Sequence, residues 1–502
     1  MAADTQEYVT RLCAAVAQPT STYKDFARIE DYVNEDPERI KDFPDTAFSK
    51  LMIQCTVIID TNSLLGRHEF PREWKSNIRF LVKYGKLHLV TDVHIAMYND
   101  SHQPLELDKE LAKIAADIGV PLPNVRSIIF LGEGVFSAGR WQTAEIRNWE
   151  ANEAVSLLKL LFPQVDDLKY FLHNPIPANI MWLCEHIVSL SVNVEYIRGR
   201  PNLPPVSIGC LRILHLLNIG GIISWRLFKA IRGVLSFNAL KELSMQFTRR
   251  ARNLALFPGD NQQVRFPVLD TLSISGSSYV YYDIFAYFLD CAIKTMHIVD
   301  EPSDFGSINQ HALKFVKNLA VDYSAGKSAC TVYSAASIDR LFKLRSSVES
   351  AIFNGIRCPL PHDTKWINLQ ILKFKASVAT ADGLANLVAQ LPVLQVLDVD
   401  CETTVANNVD ESVFIDEIAR ITELGQVMDP DDDSPINESI EQVSIIVKNI
   451  FDYVRLCELI SRLPKVSEVK VHRLFIKDVQ DSLRDDFGIT RSVDVAAYPG
   501  TF

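Results

Sequence analysis

The sequence predicts an irregular α/β solenoid, a horseshoe of stacked strand–helix units with a helical, polar cap at its N-terminal end. Three observations predict it. First, one phrase recurs five times, at Leu122-Pro123 to Phe130, Phe162-Pro163 to Tyr170, Phe266-Pro267 to Ile274, Leu391-Pro392 to Val399 and Leu463-Pro464 to Val471. Each copy is an apolar residue, a proline, and a strand-like run with apolar residues at its first, fourth and sixth positions. Second, the same one-four-six spacing recurs without the proline at intervals that suit a repeat. Third, 502 residues with 48% hydrophobic content can fill a core that runs along a stack of units.

Eight proline-free copies support the period: Val90/Val93/Ile95, Ile187/Leu190/Val192, Leu211/Leu214/Leu216, Leu240/Leu243/Met245, Ile293/Met296/Ile298, Val316/Leu319/Val321, Leu369/Leu372/Phe374 and Ile440/Val443/Ile445. From Leu190 through Leu214, Leu243, Leu272 and Met296 to Leu319 the steps are 24, 29, 29, 24 and 23 residues. Leucine-rich repeats have periods of roughly 20 to 29 residues. A strand–helix alternation at uneven spacing also suits a doubly wound sheet.

Along the chain, residues 1–80 read as the cap, with an acidic stretch from Glu30 to Asp42. Asp4, Glu7 and Arg11 interrupt any apolar run there, so no signal peptide is expected. Residues 81–475 read as the solenoid. Proline restricts the residue before it and lacks an N–H, so each Leu-Pro phrase reads as the junction where a helix stops and a strand begins. Before Pro392, Leu384, Leu387, Val388 and Leu391 share one helical face; before Pro464, Leu456, Leu459, Ile460 and Leu463 do the same.

The apolar run Ile213 to Trp225 is too short for the roughly 20 residues of a membrane span. It reads as a buried strand, a turn at Gly220 and Gly221, and a helix start. Tyr279, Tyr281, Tyr282, Phe285, Tyr287 and Phe288 read as core filling between units. Two gaps, Leu319 to Leu372 and Leu397 to Val443, are each about two repeats wide and hold either a degenerate repeat or an insertion. The second contains an acidic loop near 425–438, with Asp429-Pro430-Asp431-Asp432-Asp433-Ser434-Pro435 at its centre. Asparagine does not recur at the ninth repeat position, so looser turns are expected. Residues 476–502 read as a C-terminal cap and tail.

Composition excludes several functions. A net charge of -11 argues against broad nucleic-acid binding, and Arg249, Arg250 and Arg252 read as a solvated helix end. Nine cysteines without paired spacing read as reduced, buried thiols of a cytoplasmic or nuclear protein. Gly326-Lys327-Ser328 lacks the glycine of a phosphate-binding loop, since Val321 stands in its place. Gly276-Ser277-Ser278 lacks the spacing of a nucleophile elbow. Cys184 and His186 are two apart on an expected helix and do not face one another. No catalytic, cofactor-binding or metal-binding residue is expected, and an enzyme is the least supported reading.

One column of residues does point to binding. The position between the fourth and sixth apolar sites faces away from the core onto the inner, concave side. It holds His94, Lys169, Ser191, His215, Ser244, Ser273, His297, Ala320, Lys373, Asp398, Ser444 and Lys470. His215 and His297 would lie about 14 Å apart at three strand spacings. Two imidazoles on one zinc sit about 4 Å apart, so the column is no metal site. It is a polar, mixed-charge ladder suited to gripping a protein partner of unknown identity.

Three stretches carry a family resemblance: Gly85 to Ile95, Leu122 to Phe130, and Phe266 to Ser275. They resemble the fungal F-box and leucine-rich-repeat-like proteins over roughly residues 80 to 475. The resemblance implies a substrate receptor whose N-terminal F-box docks on the adaptor of a cullin ubiquitin ligase while the repeats select the substrate. Residues 1–80 lack the Leu-Pro opening and the Cys-Arg-x-Trp-like ending of that module; Asp42-Phe43-Pro44 and the lone Trp74 are what they offer. The segment is then a diverged or truncated F-box, or only a polar cap. The alternative is a scaffold without a ligase role.

Overall fold

Many of the described strands start from a buried-ended turn. The N–H of Val125 donates to Leu122 O, Leu240 to Phe237 O, Leu269 to Phe266 O, Val316 to Leu313 O, Leu369 to Trp366 O, Leu394 to Leu391 O and Val466 to Leu463 O, at 3.0 to 3.4 Å. In each turn the first and fourth side chains are buried. The Leu-Pro phrase is therefore a β-turn with proline at its second position, where the fixed φ suits it. At Phe162, Leu391 and Leu463 the phrase joins a helix to a strand, as read from the sequence, with the turn between them; before Phe266 a strand, Gln263–Arg265, stands in place of the helix. The turn also explains why proline is dispensable: Asn238, Lys314 and Ile367 take its place in other repeats.

The computed structural model describes residues 7–12, 14, 23–43, 54–60, 78–98, 115–116, 119–132, 152–170, 187–193, 208–219, 234–247, 263–276, 288, 291–299, 313–322, 335–354, 360–361, 363–377, 381–401, 435–447, 453–471, 476–489 and 493–497. It divides into two units, Met1–Leu240 with Phe257–Arg265 (unit 1) and Lys241–Leu256 with Phe266–Phe502 (unit 2).

In unit 1, strands β1 (Gln54–Asp60), β2 (Asp92–Tyr98), β3 (Ser127–Gly132), β4 (Asp167–Tyr170), β5 (Ser189–Asn193) and β6 (Ile213–Ile219) pair in that order, all parallel. The chain continues through β7 (Val234–Ser236), β8 (Glu242–Phe247) and β9 (Gln263–Arg265). Strands β7 and β9 pair in parallel within unit 1, and β8 is the first strand of unit 2.

Unit 2 then runs in parallel from β8 through β10 (Thr271–Ser275), β11 (Thr295–Val299), β12 (Asn318–Asp322), β13 (Ser350–Asn354), β14 (Ile371–Ser377), β15 (Val396–Cys401), β16 (Gln442–Val447), β17 (Glu468–Val471) and β18 (Asp494–Ala497). The described helices are α1 (Tyr23–Glu35), α2 (Ile78–Lys83), α3 (Asn152–Leu161), α4 (Ala335–Lys343), α5 (Ala381–Ala389), α6 (Tyr453–Ser461) and α7 (Ile476–Asp485).

In each unit the main sheet follows chain order without reversal, whereas a doubly wound sheet reverses at a switch point. Crossovers between parallel strands are right-handed, so connections in such a sheet return on one side and leave the other uncovered. Burial matches this: along β8, β10, β11, β12 and β13 buried residues alternate with half-buried or exposed ones. The fourth and sixth repeat positions, such as Leu243 and Met245 or Leu272 and Ile274, point into the core. The helices carry buried faces spaced by three and four: Ile338, Leu341 and Phe342 on α4, Leu384, Leu387 and Val388 on α5, Cys457 and Ile460 on α6. Each such aliphatic or aromatic side chain contributes about 1.5 to 3 kcal/mol by burial.

The first gap holds one degenerate repeat, β13 with α4 before it. Its apolar sites are Val348, Ala351 and Phe353, all buried. The alanine weakens the pattern, and aromatic rings crowd the same region. Phe342 stacks on Trp366 at 4.1 Å and Phe353 on Phe374 at 4.4 Å, while Trp366 Nε1 donates to Leu344 O. Across the second gap β15 pairs directly with β16. Residues 402–434, including Asp429 to Ser434, lie outside the described residues.

Where that segment re-enters, at the edge of the acidic loop, Asn437 is buried. Its Nδ2 donates to Val388 O at 3.1 Å and Leu391 O at 2.7 Å, and its Oδ1 accepts the N–H of Ser439 at 2.8 Å. One asparagine thus ties a strand approach to the end of α5 and the turn after it. It occupies the site where Leu391 and Leu463 start their own turns.

Strand β1 lies within residues 1–80, and β18 lies beyond residue 475, so both segments assigned to caps supply strands. Before β1, α1 buries Ile29 and Val33, and the Tyr32 ring meets Tyr8 at 5.4 Å and Phe43 at 5.9 Å. Among the described residues Cys291 and Cys457 are buried thiols, as expected, but Cys210 is an exposed one. It is the third residue of the turn Ile208 to Leu211, whose tip faces solvent. Phe288 is buried against Phe266; the other aromatic residues from Tyr279 to Tyr287 lie outside the described residues, as do Arg249, Arg250, Arg252, Gly326 to Ser328, Cys184, His186 and Trp74.

Candidate open-face binding surface

The fifth repeat position falls between two buried ones, so its side chain stands on the uncovered side of the sheet. In unit 1 the register aligns His94 with Ile129, Ile129 with Lys169, Lys169 with Ser191 and Ser191 with His215. In unit 2 it aligns Ser244, Ser273, His297, Ala320, Ile352, Lys373, Asp398, Ser444, Lys470 and Ala496 in an unbroken row. Within each unit the residues singled out in the sequence therefore share a column. The side chain of His94 lies outside the described residues.

Two members are covered. Ser191 is 4% and Ser444 6% exposed. Each is a two-atom side chain flanked in register by longer ones, Lys169 and His215 for the first, Asp398 and Lys470 for the second. Ile129 and Ile352 also enter the column. Sequence spacing missed Ile352 because its repeat hides behind Ala351.

Neighbouring columns hold the ladder residues in place. In unit 1, Asp167 Oδ2 accepts from Ser127 Oγ at 2.8 Å and pairs with Lys169 Nζ at 3.0 Å. In unit 2, His297 Nε2 lies 2.5 Å from Asp322 Oδ2, and Asn354 Nδ2 donates to Asp322 Oδ1 at 2.5 Å. Asp322 thereby links three strands. Near the C-terminal end, Glu468 accepts from Gln442 Nε2 at 2.8 Å and pairs with Lys470 at 3.3 Å. Sequence reasoning missed Asp167, Asp322, Asn354 and Glu468. All sit two residues from a column member, and period-two alternation puts them on the same face.

Half-exposed pairs of this kind contribute about 0 to 1 kcal/mol to stability. Their larger effect is orientation: they hold long side chains in fixed positions, so that a partner meets donors and acceptors already arranged. Among the described residues no group of three or more His, Cys, Asp or Glu is placed to hold a metal ion. Among those residues no helix is long and apolar enough to cross a membrane. No protein-family model matches the chain, and a search of curated proteins gives no match to its sequence.

Proposed function

We propose that this chain is a noncatalytic recognition protein that grips a protein partner with the open face of its parallel sheet. The observation that carries the reading is the unit 2 row from Ser244 to Ala496, polar or charged at most places and braced by the Asp322 and Glu468 clusters. Exposed positions of a fold that needs its first, fourth and sixth sites apolar are free to suit a partner. The test is quantitative affinity purification with the full chain and the Lys169→Glu, Lys373→Glu double variant. Proteins recovered by the natural sequence should fall at least tenfold with the variant. Equal recovery removes the open face from binding.

The resemblance to F-box and leucine-rich-repeat-like proteins supports a narrower form, a substrate receptor docked on a cullin adaptor through its N-terminal segment. Because β1 pairs with β2, a truncation through residue 80 would strip a strand from the sheet; the informative deletion ends before Gln54. A cullin and its adaptor recovered with the full chain and lost with residues 1–50 support the receptor. Their absence from both leaves a scaffold.

A further inference from the structure

Among the described residues of unit 2, four large apolar side chains are exposed, and all four stand at the tips of turns that lead into strands, three at the third turn position and one at the second. Val268, Phe315 and Val393 are the third residues of the turns before β10, β12 and β15, and Ile367 is the second residue of the turn before β14. Each is 40 to 60% exposed. A turn tip asks for proline, glycine or a small polar residue, so the fold gains nothing from a valine, isoleucine or phenylalanine there. Single exposed apolar residues are ordinary, whereas a row at equivalent positions marks an interaction surface. Strands β12 to β15 are consecutive, and at a spacing of about 4.8 Å the tips from Phe315 to Val393 span about 14 Å of the turn edge.

The charge beside this row is opposite to that of the chain. Residues 266–271, 291–294, 313–318, 343–350, 363–371 and 390–396, at the turns and strand starts of β10 to β15, contain Lys294, Lys314, Lys317, Lys343, Arg345 and Lys365 against Asp270, Glu349 and Asp363. Glu349 and Asp363 pair with Lys317 at 2.6 Å and Lys343 at 3.8 Å. A surplus of three positive groups remains, in a protein of net charge -11. Lys314 Nζ lies 4.9 Å from the Phe315 ring centre, so charge and apolar surface meet at one point.

We propose that the turn edge of unit 2 docks an acidic amphipathic segment of another protein, with its apolar side on Phe315, Ile367 and Val393 and its carboxylates against Lys294, Lys314, Arg345 and Lys365. This edge is separate from the open face. A protein segment fits better than an anionic lipid surface, because Asp270, Glu349 and Asp363 stand on the same edge and would be pressed against headgroups of their own sign. A segment of defined sequence can place its charges between them.

The test uses the full chain and two display libraries of 18-residue amphipathic helices, one with glutamate and one with lysine on the polar side. Members of the glutamate library are expected to be retained, with affinity falling as salt rises. Retained peptides should lose at least tenfold in affinity for Phe315→Ser, Ile367→Ser, Val393→Ser, and for Lys294→Glu, Lys314→Glu, whose altered residues are exposed and leave the melting temperature unchanged. Equal retention of both libraries, or undiminished binding by both variants, overturns the proposal. So does sedimentation with phosphatidylserine vesicles that the triple variant abolishes while no peptide is retained, which assigns the edge to a membrane.

Discussion

Replacing Asn437 separates two accounts of how a repeat is tied to its neighbour. If the site only needs to fill space, as Leu391 and Leu463 do at the same place, Asn437→Leu should be neutral or stabilising. If its hydrogen bonds matter, the outcome differs. Alanine removes two bonds donated to Val388 O and Leu391 O and two accepted from Ser439 N and Ser439 Oγ, from a side chain that is 6% exposed; the Ser439 hydroxyl keeps Leu394 O as its acceptor, so three bonds are lost outright. The two carbonyls keep one partner each, the N–H groups of Leu391 and Leu394, so neither is orphaned. At about 1 kcal/mol per bond, with a further cost for Ser439 N–H, Asn437→Ala is expected to lose about 3 kcal/mol and Asn437→Leu about 2 kcal/mol. Asn437→Asp keeps the acceptor but sets a carboxylate against two carbonyl oxygens, so it is expected to lose most at pH 7 and to recover part of the loss near pH 4, where the protonated acid can donate. Urea unfolding followed by far-UV circular dichroism reads all three variants. A leucine variant as stable as the natural sequence would refute the hydrogen-bond account.

Two further predictions concern groups that the fold constrains. Gly276 has φ +138, and a Cβ there would lie 2.6 Å from Phe247 Cβ and 3.0 Å from Phe247 O, so Gly276→Ala is expected to cost about 1 to 3 kcal/mol in urea unfolding; a change under about 0.5 kcal/mol would show that β8 yields easily. The Cys457 thiol is pushed up to about 11, chiefly by burial, with a hydrogen bond to Ser482 opposing the shift and the Asp486 carboxylate adding to it. A raised value keeps the neutral thiol in the fold, so its contribution is full below the ordinary value near 9 and is lost as pH rises through 11. Between pH 8 and 10.5 the natural sequence should lose on the order of 2 kcal/mol more stability than Cys457→Ala, and iodoacetamide at pH 8 should label Cys210 while sparing Cys457. Equal pH slopes for the two proteins would contradict this.

The legible part of the fold follows from burial. Leu243 and Met245, or Leu372 and Phe374, must be apolar because they face the helices, and that requirement repeats at every strand. Legibility failed where a small or atypical residue met the same requirement. Ala351 concealed β13, although Val348/Ala351/Phe353 keeps the spacing; at β1 the register of Cys55 with Val93 and Val57 with Ile95 puts those two at the fourth and sixth sites. At β18 only Val495 carries the pattern, so no spacing rule would find it. Asn437 was invisible for another reason: the ninth-position asparagine rule points elsewhere, and the residue acts from the turn on the preceding helix.

Function was less legible because binding residues occupy positions that the fold leaves open. A column residue needs only to tolerate solvent, so serine, lysine, histidine, alanine and isoleucine all occur there, and pattern alone ranks none above another. Geometry discriminates further: it covers Ser191 and Ser444, and it recruits Asp322 and Asn354 to steady His297. The same logic applies with more force at the turns. Their first and fourth residues are fixed by burial and their second by backbone preference, which leaves the third under almost no structural constraint. Valine at 268 and 393 and phenylalanine at 315 gain the fold little burial at a solvent-facing tip, and the absence of a folding reason for them is what makes them informative about what the turn edge meets.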